Sequence, residues 1–188
     1  MISGVKYESG AVLMELSRLE DARGWTMQTG VPVEMESLGV PSDWPFELIS
    51  YSREKVLRGM HHQPGLAKLI HVTRGAVHEV VLDLRRESFG MVESYFLHAE
   101  RQLYVPPWCA HGFLVRPIGP DSYAEVHYRL SGPRNPAAEV QILWSSIDHE
   151  WPETEIFLST KDRAAPTLEA VRERMWPPEE LVAEARGA

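Results

Sequence analysis

The chain has 188 residues, 44% of them hydrophobic and 24% charged, which fits one domain with enough apolar content to bury a core. Its 19 Lys and Arg against 27 Asp and Glu give a formal net charge of −8. That balance opposes binding to a nucleic-acid backbone, yet it leaves room for a local basic pocket that takes a small phosphorylated ligand. A single cysteine, Cys109, excludes an internal disulfide framework and a multi-cysteine zinc site. No apolar run approaches the roughly 20 residues that span a bilayer, and the opening Met1 to Gly10 lacks the basic-then-apolar order of a signal peptide. The expectation is a cytoplasmic protein with no membrane partner and no nucleic-acid partner.

Between Val56 and Leu143 the chain reads as short β segments punctuated by Gly and Pro. Residues 57–65, Leu-Arg-Gly-Met-His-His-Gln-Pro-Gly, form the densest run of polar side chains inside strand-like sequence. Residues 68–84 predict two strands around a turn at Thr73 to Ala76. Further strands are predicted at Ser94 to Leu97, Gln102 to Val105, Gly112 to Val115, Ser122 to Leu130 and Val140 to Leu143, with loops at 115–120 and 131–136. Helical signals gather at the end, where Thr167 caps a predicted helix running to Met175 and Pro177-Pro178 opens another. Many short strands in one domain predict an all-β sandwich or barrel.

Adjacent histidines on a strand face opposite ways, so only one of His61 and His62 is expected to look into a barrel. One such histidine is more often a hydrogen-bonded structural residue than a catalytic one. Its company changes that balance: Arg58, His61, Lys68, Asp83, His111 and Tyr128 all lie in or beside predicted strands. Small-barrel strands seldom carry so many ionisable groups unless the interior is a site. His111 follows the stiff Pro106-Pro107, where the chain re-enters a strand, and Tyr128 lies on the more apolar face of its alternating segment. The His-x-His pair that a metal-binding barrel prefers is missing.

Arg58-Gly59-Met60-His61-His62-Gln63, Lys68-Leu69-Ile70 and Asp83-Leu84-Arg85 resemble the dTDP-4-dehydrorhamnose 3,5-epimerase family. So do Arg101-Gln102-Leu103-Tyr104-Val105-Pro106, Ala110-His111-Gly112-Phe113, Ile142-Leu143-Trp144, and the run from Leu158 through Lys161-Asp162-Arg163 to Pro166. Asp21-Ala22-Arg23-Gly24 is similar to the family's N-terminal Asp-x-Arg-Gly, and the likeness runs from about residue 13 to 168.

The resemblance implies one cupin-type antiparallel β-barrel (jelly roll) with its core over about 45–145, a helical tail over about 166–188, and a homodimer whose N-terminal strands cross to the partner. It also implies an epimerase without metal or other cofactor. The substrate would be a nucleoside diphosphate 4-keto-6-deoxyhexose, inverted at C3, at C5 or at both. His61 would be the base, Asp162 its orienting carboxylate, Lys68 the enolate stabiliser and Tyr128 the proton donor on the other face. Arg23 and Arg58 would hold the diphosphate, His111 would line the sugar pocket, and Gln28, Ser52, Gln63 and Arg134 would complete the substrate site.

Five positions depart from the family pattern. Phe46 and Leu48 replace a Gln-x-Asn before Ser50-Tyr51-Ser52, and Thr26 and Gln28 replace a Phe and a Glu. Arg134 stands where an aromatic is usual. An amide at 28 both donates and accepts, so Gln28 is expected to admit a base other than thymine, cytosine included, and Arg134 is expected to bear on which carbon is inverted. Two other readings compete: a metal-dependent cupin oxidoreductase using His61 or His62 with His111, and a non-catalytic sugar-nucleotide binding protein.

Overall fold

The computed structural model describes residues 1–117 and 123–176. The elements run β1 (Ile2–Lys6), β2 (Val12–Leu16), β3 (Arg18–Asp21), β4 (Gly24–Met27), α1 (Pro32–Ser37), β5 (Phe46–Arg53), β6 (Leu57–His62), β7 (Lys68–Arg74), β8 (Ala76–Asp83), β9 (Val92–Leu97), β10 (Arg101–Val105), β11 (Cys109–Arg116), β12 (Tyr123–Leu130), β13 (Val140–Gln141), α2 (Thr160–Arg163) and α3 (Leu168–Met175). Two antiparallel sheets carry the architecture. A six-stranded sheet has the order β1-β2-β10-β7-β12-β5, and a five-stranded sheet has the order β13-β6-β11-β8-β9. They form the antiparallel β-barrel expected from the sequence.

The chain passes repeatedly from one sheet to the other, and among the described residues the tightest of these crossings is the turn between β7 and β8. Those strands belong to different sheets, so the chain at Gly75 leaves one wall and enters the other. Gly75 has φ +72°, and a Cβ there would lie 2.1 Å from the Tyr123 carbonyl oxygen. Only glycine permits that conformation at that approach.

Between the sheets lies the main core, with Ile70, Val72, Val77, Val81, Leu97, Phe113, Val115 and Val126. A second cluster packs α1 and its flanks against the outer side of the six-stranded sheet through Met14, Met35, Leu69 and Tyr104. A third covers the outer side of the five-stranded sheet, where Met60, Val80, Leu82 and Ala110 meet Ile142, Ile147 and Val171 of the C-terminal segment. Covering on both faces explains why β11 is buried at all but its last position instead of alternating. By contrast β12, with the burial of every second residue from Ala124 to Leu130, keeps the alternation read from sequence.

The N-terminal region differs from expectation. β1 and β2 extend the six-stranded sheet, so the barrel begins at residue 2 and not near 45. Their register, Ile2 opposite Leu16 and Leu13 opposite Leu103, is fixed by apolar pairs too few to stand out by periodicity. The β3–β4 hairpin pairs only with itself and is exposed almost throughout, with Leu19 71% and Trp25 53% accessible. Helix α3 begins as expected: the Thr167 hydroxyl accepts from the Ala170 amide. Ser122, the 118–120 part of the predicted loop, and the helix predicted at Pro177-Pro178 lie outside the described residues.

Candidate active site

A cavity of about 460 Å³ opens between the sheets, lined on one wall by Arg58, His61, His62 and His111 and on the other by Ser50, Lys68 and Tyr128, with Arg134 and Glu139 at the connecting loop. The two walls come from different sheets: β6 and β11 belong to the five-stranded sheet, and β5, β7 and β12 to the six-stranded one.

His61 Nε2 is 2.6 Å from Asp162 Oδ1, the closest polar contact of the histidine with a residue 101 positions away. The imidazole side chain is 28% exposed and the carboxylate 6%. With Asp162 accepting the Nε2 hydrogen, Nδ1 is left with a free lone pair, the arrangement of a poised general base. Asp162 is itself well held. The Ser159 hydroxyl donates to Oδ2 at 2.8 Å and accepts from the Asp162 amide at 3.0 Å as the N-cap of α2. Burial works against the Asp162 charge, but the hydrogen bonds from His61 and Ser159 outweigh it and hold the carboxyl below its ordinary range. The segment that brings Asp162 to the barrel is pinned by Leu57 N–H to Phe157 O at 3.0 Å and Leu143 N–H to Pro166 O at 2.7 Å.

Lys68 opens β7 inside the cavity. Burial lowers its pKa to about 8, opposed by the charges of Glu79 and Glu139. His111 Nδ1 lies 2.7 Å from Glu79 Oε1, a carboxyl with no solvent exposure. Burial raises Glu79 well above the usual carboxyl range and lowers His111 well below the usual imidazole range. His111 meets the Tyr128 ring edge-on at 6.2 Å, and burial pushes the Tyr128 phenol upward from its ordinary value.

Arg58 is oriented by Ser52, whose hydroxyl accepts from Nε at 2.7 Å, and by the Tyr51 carbonyl, which accepts from Nη2 at 3.1 Å. Ser52 is thus a buried support for Arg58 and does not itself line the cavity. Gln63 lines it and clasps the loop after β12 with both ends of its amide: Nε2 donates to Pro133 O at 3.2 Å and Oε1 accepts from Asn135 N–H at 2.9 Å. That clasp places Arg134, which pairs with Glu139 at 3.2 Å.

Seven of the expected residues therefore line one cavity, Arg58, His61, Gln63, Lys68, His111, Tyr128 and Arg134, and Asp162 meets it through its hydrogen bond with His61. Arg23 and Gln28 do not reach it within the chain. Arg23 sits at the tip of the exposed hairpin, 90% accessible and paired with Asp21 at 2.6 Å, and Gln28 is exposed just after β4. Asp83, grouped with the pocket residues by its place in a strand, lies fully buried away from the cavity, accepting from Arg85 and Ser88. His61 and His62 both line the cavity, against strict alternation. Between the pairs Arg58–Phe113 and His61–His111, β6 advances three positions while β11 advances two, and such a bulge re-aims the side chains beside it.

Glu79, Glu139, Ser50 and Ser159 join the site only in the structure. A lone glutamate inside the apolar run from Ala76 to Leu82 was a usable signal for Glu79. Nothing in the local sequence marks Glu139, whose carboxylate also meets Lys161 at 2.8 Å. Among the described residues no group of three or more His, Cys, Asp or Glu side chains is arranged to hold a metal ion.

A family model described as dTDP-4-dehydrorhamnose 3,5-epimerase matches residues 8–170. The chain belongs to that family. The dTDP-4-dehydrorhamnose 3,5-epimerase of Salmonella typhimurium is 40% identical over 130 residues, 64% of this chain and 69% of that protein. The crystal structure of NovW, a 4-keto-6-deoxy sugar epimerase from the novobiocin cluster of Streptomyces spheroides, superposes with a TM-score of 0.86 at 26% identity, covering 95% of this chain and 93% of that one. A double mutant of ChmJ, a 3'-monoepimerase from Streptomyces bikiniensis in complex with dTDP, superposes with a TM-score of 0.78 at 26% identity, covering 88% and 86%. The chain is accordingly a nucleotide-sugar epimerase of the isomerase class, and its fold is the cupin-type barrel of this family.

Proposed function

We propose that the chain inverts a nucleoside diphosphate 4-keto-6-deoxyhexose at one or both of the carbons beside its C4 ketone, with His61 as base and Tyr128 as the returning acid. One observation carries this reading: His61 and Tyr128 stand on opposite sheets across a single cavity. Inversion requires a proton to leave one face of the sugar and another to arrive on the opposite face, and two walls provide that where one would not. A proton beside a ketone is weakly acidic, so the developing enolate oxygen needs a positive partner, and the Lys68 ammonium supplies it. Arg58, fixed by Ser52, suits a phosphate oxygen through its planar donors.

The site is proposed to be completed by a second copy of the chain, working without metal in the cytoplasm. The β3–β4 hairpin presents Leu19, Trp25 and Arg23 to solvent with no partner in its own sheets. A crossing hairpin would bury that apolar surface and carry Arg23 to the partner's cavity. The relatives are named for dTDP sugars, so thymidine is the proposed nucleoside; Gln28, outside the cavity, provides no contact within the chain that favours cytosine.

The test is a panel of dTDP-, CDP-, UDP- and GDP-linked 4-keto-6-deoxyhexoses in heavy water, followed by NMR. Deuterium entering at C3 or C5 of the dTDP sugar, with the inverted product, is the expected result. Absence of exchange into every member would overturn the reading, and tighter binding of CDP than dTDP would overturn the choice of base.

A further inference from the structure

Tyr128 has a task on the six-stranded wall that it performs badly alone. When it gives its hydroxyl proton to the sugar carbon, the O–H bond breaks, a C–H bond forms, the enolate electrons return to the ketone, and the tyrosine is left as a phenolate. That anion forms in a buried position, and burial has already raised the phenol's pKa; the charge of Glu79 pushes the same way. Without a donor at the phenolate oxygen the return step is uphill.

The strand register supplies a donor. On β5, Leu48 lies opposite Tyr128 and Ser50 lies opposite Val126, so Ser50 is the diagonal neighbour of Tyr128 on the inner face, within reach of a long aromatic side chain. The Ser50 hydroxyl is buried and has no hydrogen-bond partner, and Ser50 lines the cavity. A buried hydroxyl without a partner is uncommon and calls for an explanation. Its neighbour two residues on, Ser52, accepts from Arg58. No hydrogen bond of standard geometry joins Ser50 to Tyr128, yet the hydroxyl is close enough to favour the phenolate, alongside the positive charges of Arg58 and Arg134 and against the upward push of burial.

We infer that Ser50 is a positioning residue for proton return, its unpartnered hydroxyl serving as hydrogen-bond donor to Tyr128 after that residue has given up its proton. The inference rests on the epimerase reading above and deepens it. Because Ser50 acts through Tyr128 and not through His61, it governs inversion and leaves proton removal alone. His61, once protonated, exchanges with solvent and returns deuterium to the face it took hydrogen from, so removal remains visible as deuterium in substrate of unchanged configuration.

The experiment compares wild type, Ser50→Ala and Ser50→Thr on the dTDP 4-keto-6-deoxyhexose in heavy water, measuring deuterium in unconverted substrate and formation of the inverted sugar. In Ser50→Ala the ratio of exchange to inversion is expected to rise at least tenfold, with KM within twofold of wild type, and Ser50→Thr is expected to restore the ratio because it returns the hydroxyl. An unchanged ratio in Ser50→Ala overturns the inference. So does an equal fall in exchange and inversion, which would show that the side chain only shapes the cavity. Wild-type protein that exchanges nothing would instead overturn the epimerase reading on which the inference stands.

Discussion

At the scale of single residues, the site turns on how buried charges are provided for. As the proposed base, His61 has Asp162 2.6 Å away, and hydrogen bonds from His61 and from the Ser159 hydroxyl hold that carboxyl below its ordinary range. His61→Ala is expected to lower solvent exchange beside the ketone by 10²- to 10⁴-fold, the range for losing a general base, while leaving dTDP affinity within a few-fold by calorimetry. Lys68 is the residue that ties activity to pH. Its pKa of about 8 lies below its ordinary 10.5, so the ammonium proposed to stabilise the enolate is lost as pH rises through about 8, and kcat/KM is expected to fall there. The stability sign is the reverse. Below pH 8 the folded protein must hold a buried charge that the unfolded chain keeps in water, and that cost disappears only as pH rises toward the unfolded value. Lys68→Met is therefore expected to be inactive but to melt at a higher temperature than wild type at pH 7, a trade of stability for function readable by calorimetry.

At the scale of elements, two short pieces of backbone decide whether those residues meet. Helix α2 has four residues and cannot stand by propensity; it exists because Ser159 caps it and the chain on either side is pinned to the barrel. Ser159→Ala removes both the cap and a hydrogen bond to Asp162. It is expected to cost about 1 kcal/mol of stability, the usual worth of an N-cap, and to lower turnover while leaving KM within a few-fold. Gly75→Ala tests the step from β7 to β8. A Cβ 2.1 Å from the Tyr123 carbonyl forces the turn away from the start of β12 and strains a left-handed backbone, and a loss of roughly 2–4 kcal/mol, or a melting point lower by about 5–10 °C, is expected. These elements differ in legibility. The Gly75 turn and the Thr167 cap were plain in the sequence because turn glycines and capping hydroxyls act on neighbours. Helices α1 and α2 and strands β1 and β2 were not, since each is held by contacts with distant parts of the chain.

For the whole molecule, the −8 net charge and the cavity's Arg58, Lys68 and Arg134 describe an acidic protein with a basic interior, suited to drawing in a phosphorylated ligand. The hairpin of β3 and β4 is the feature the single chain leaves unused. In sedimentation the full chain is expected to run as a dimer, and Trp25→Glu is expected to shift it toward monomer and to weaken dTDP binding at least tenfold, because Arg23 travels with the hairpin. A monomeric wild type would refute that arrangement.

The sequence by itself determined the family, the strand-rich architecture and most of the residues around the cavity, because motifs and alternation are local and survive without a fold. Only the tertiary structure decided that Glu79 backs His111, that Glu139 joins Arg134, that Asp83 faces away, and that Ser50 stands unpartnered beside Tyr128. Those facts depend on which strands become neighbours and in what register, and register across a barrel is set by the packing of the whole core. No window of adjacent residues contains it.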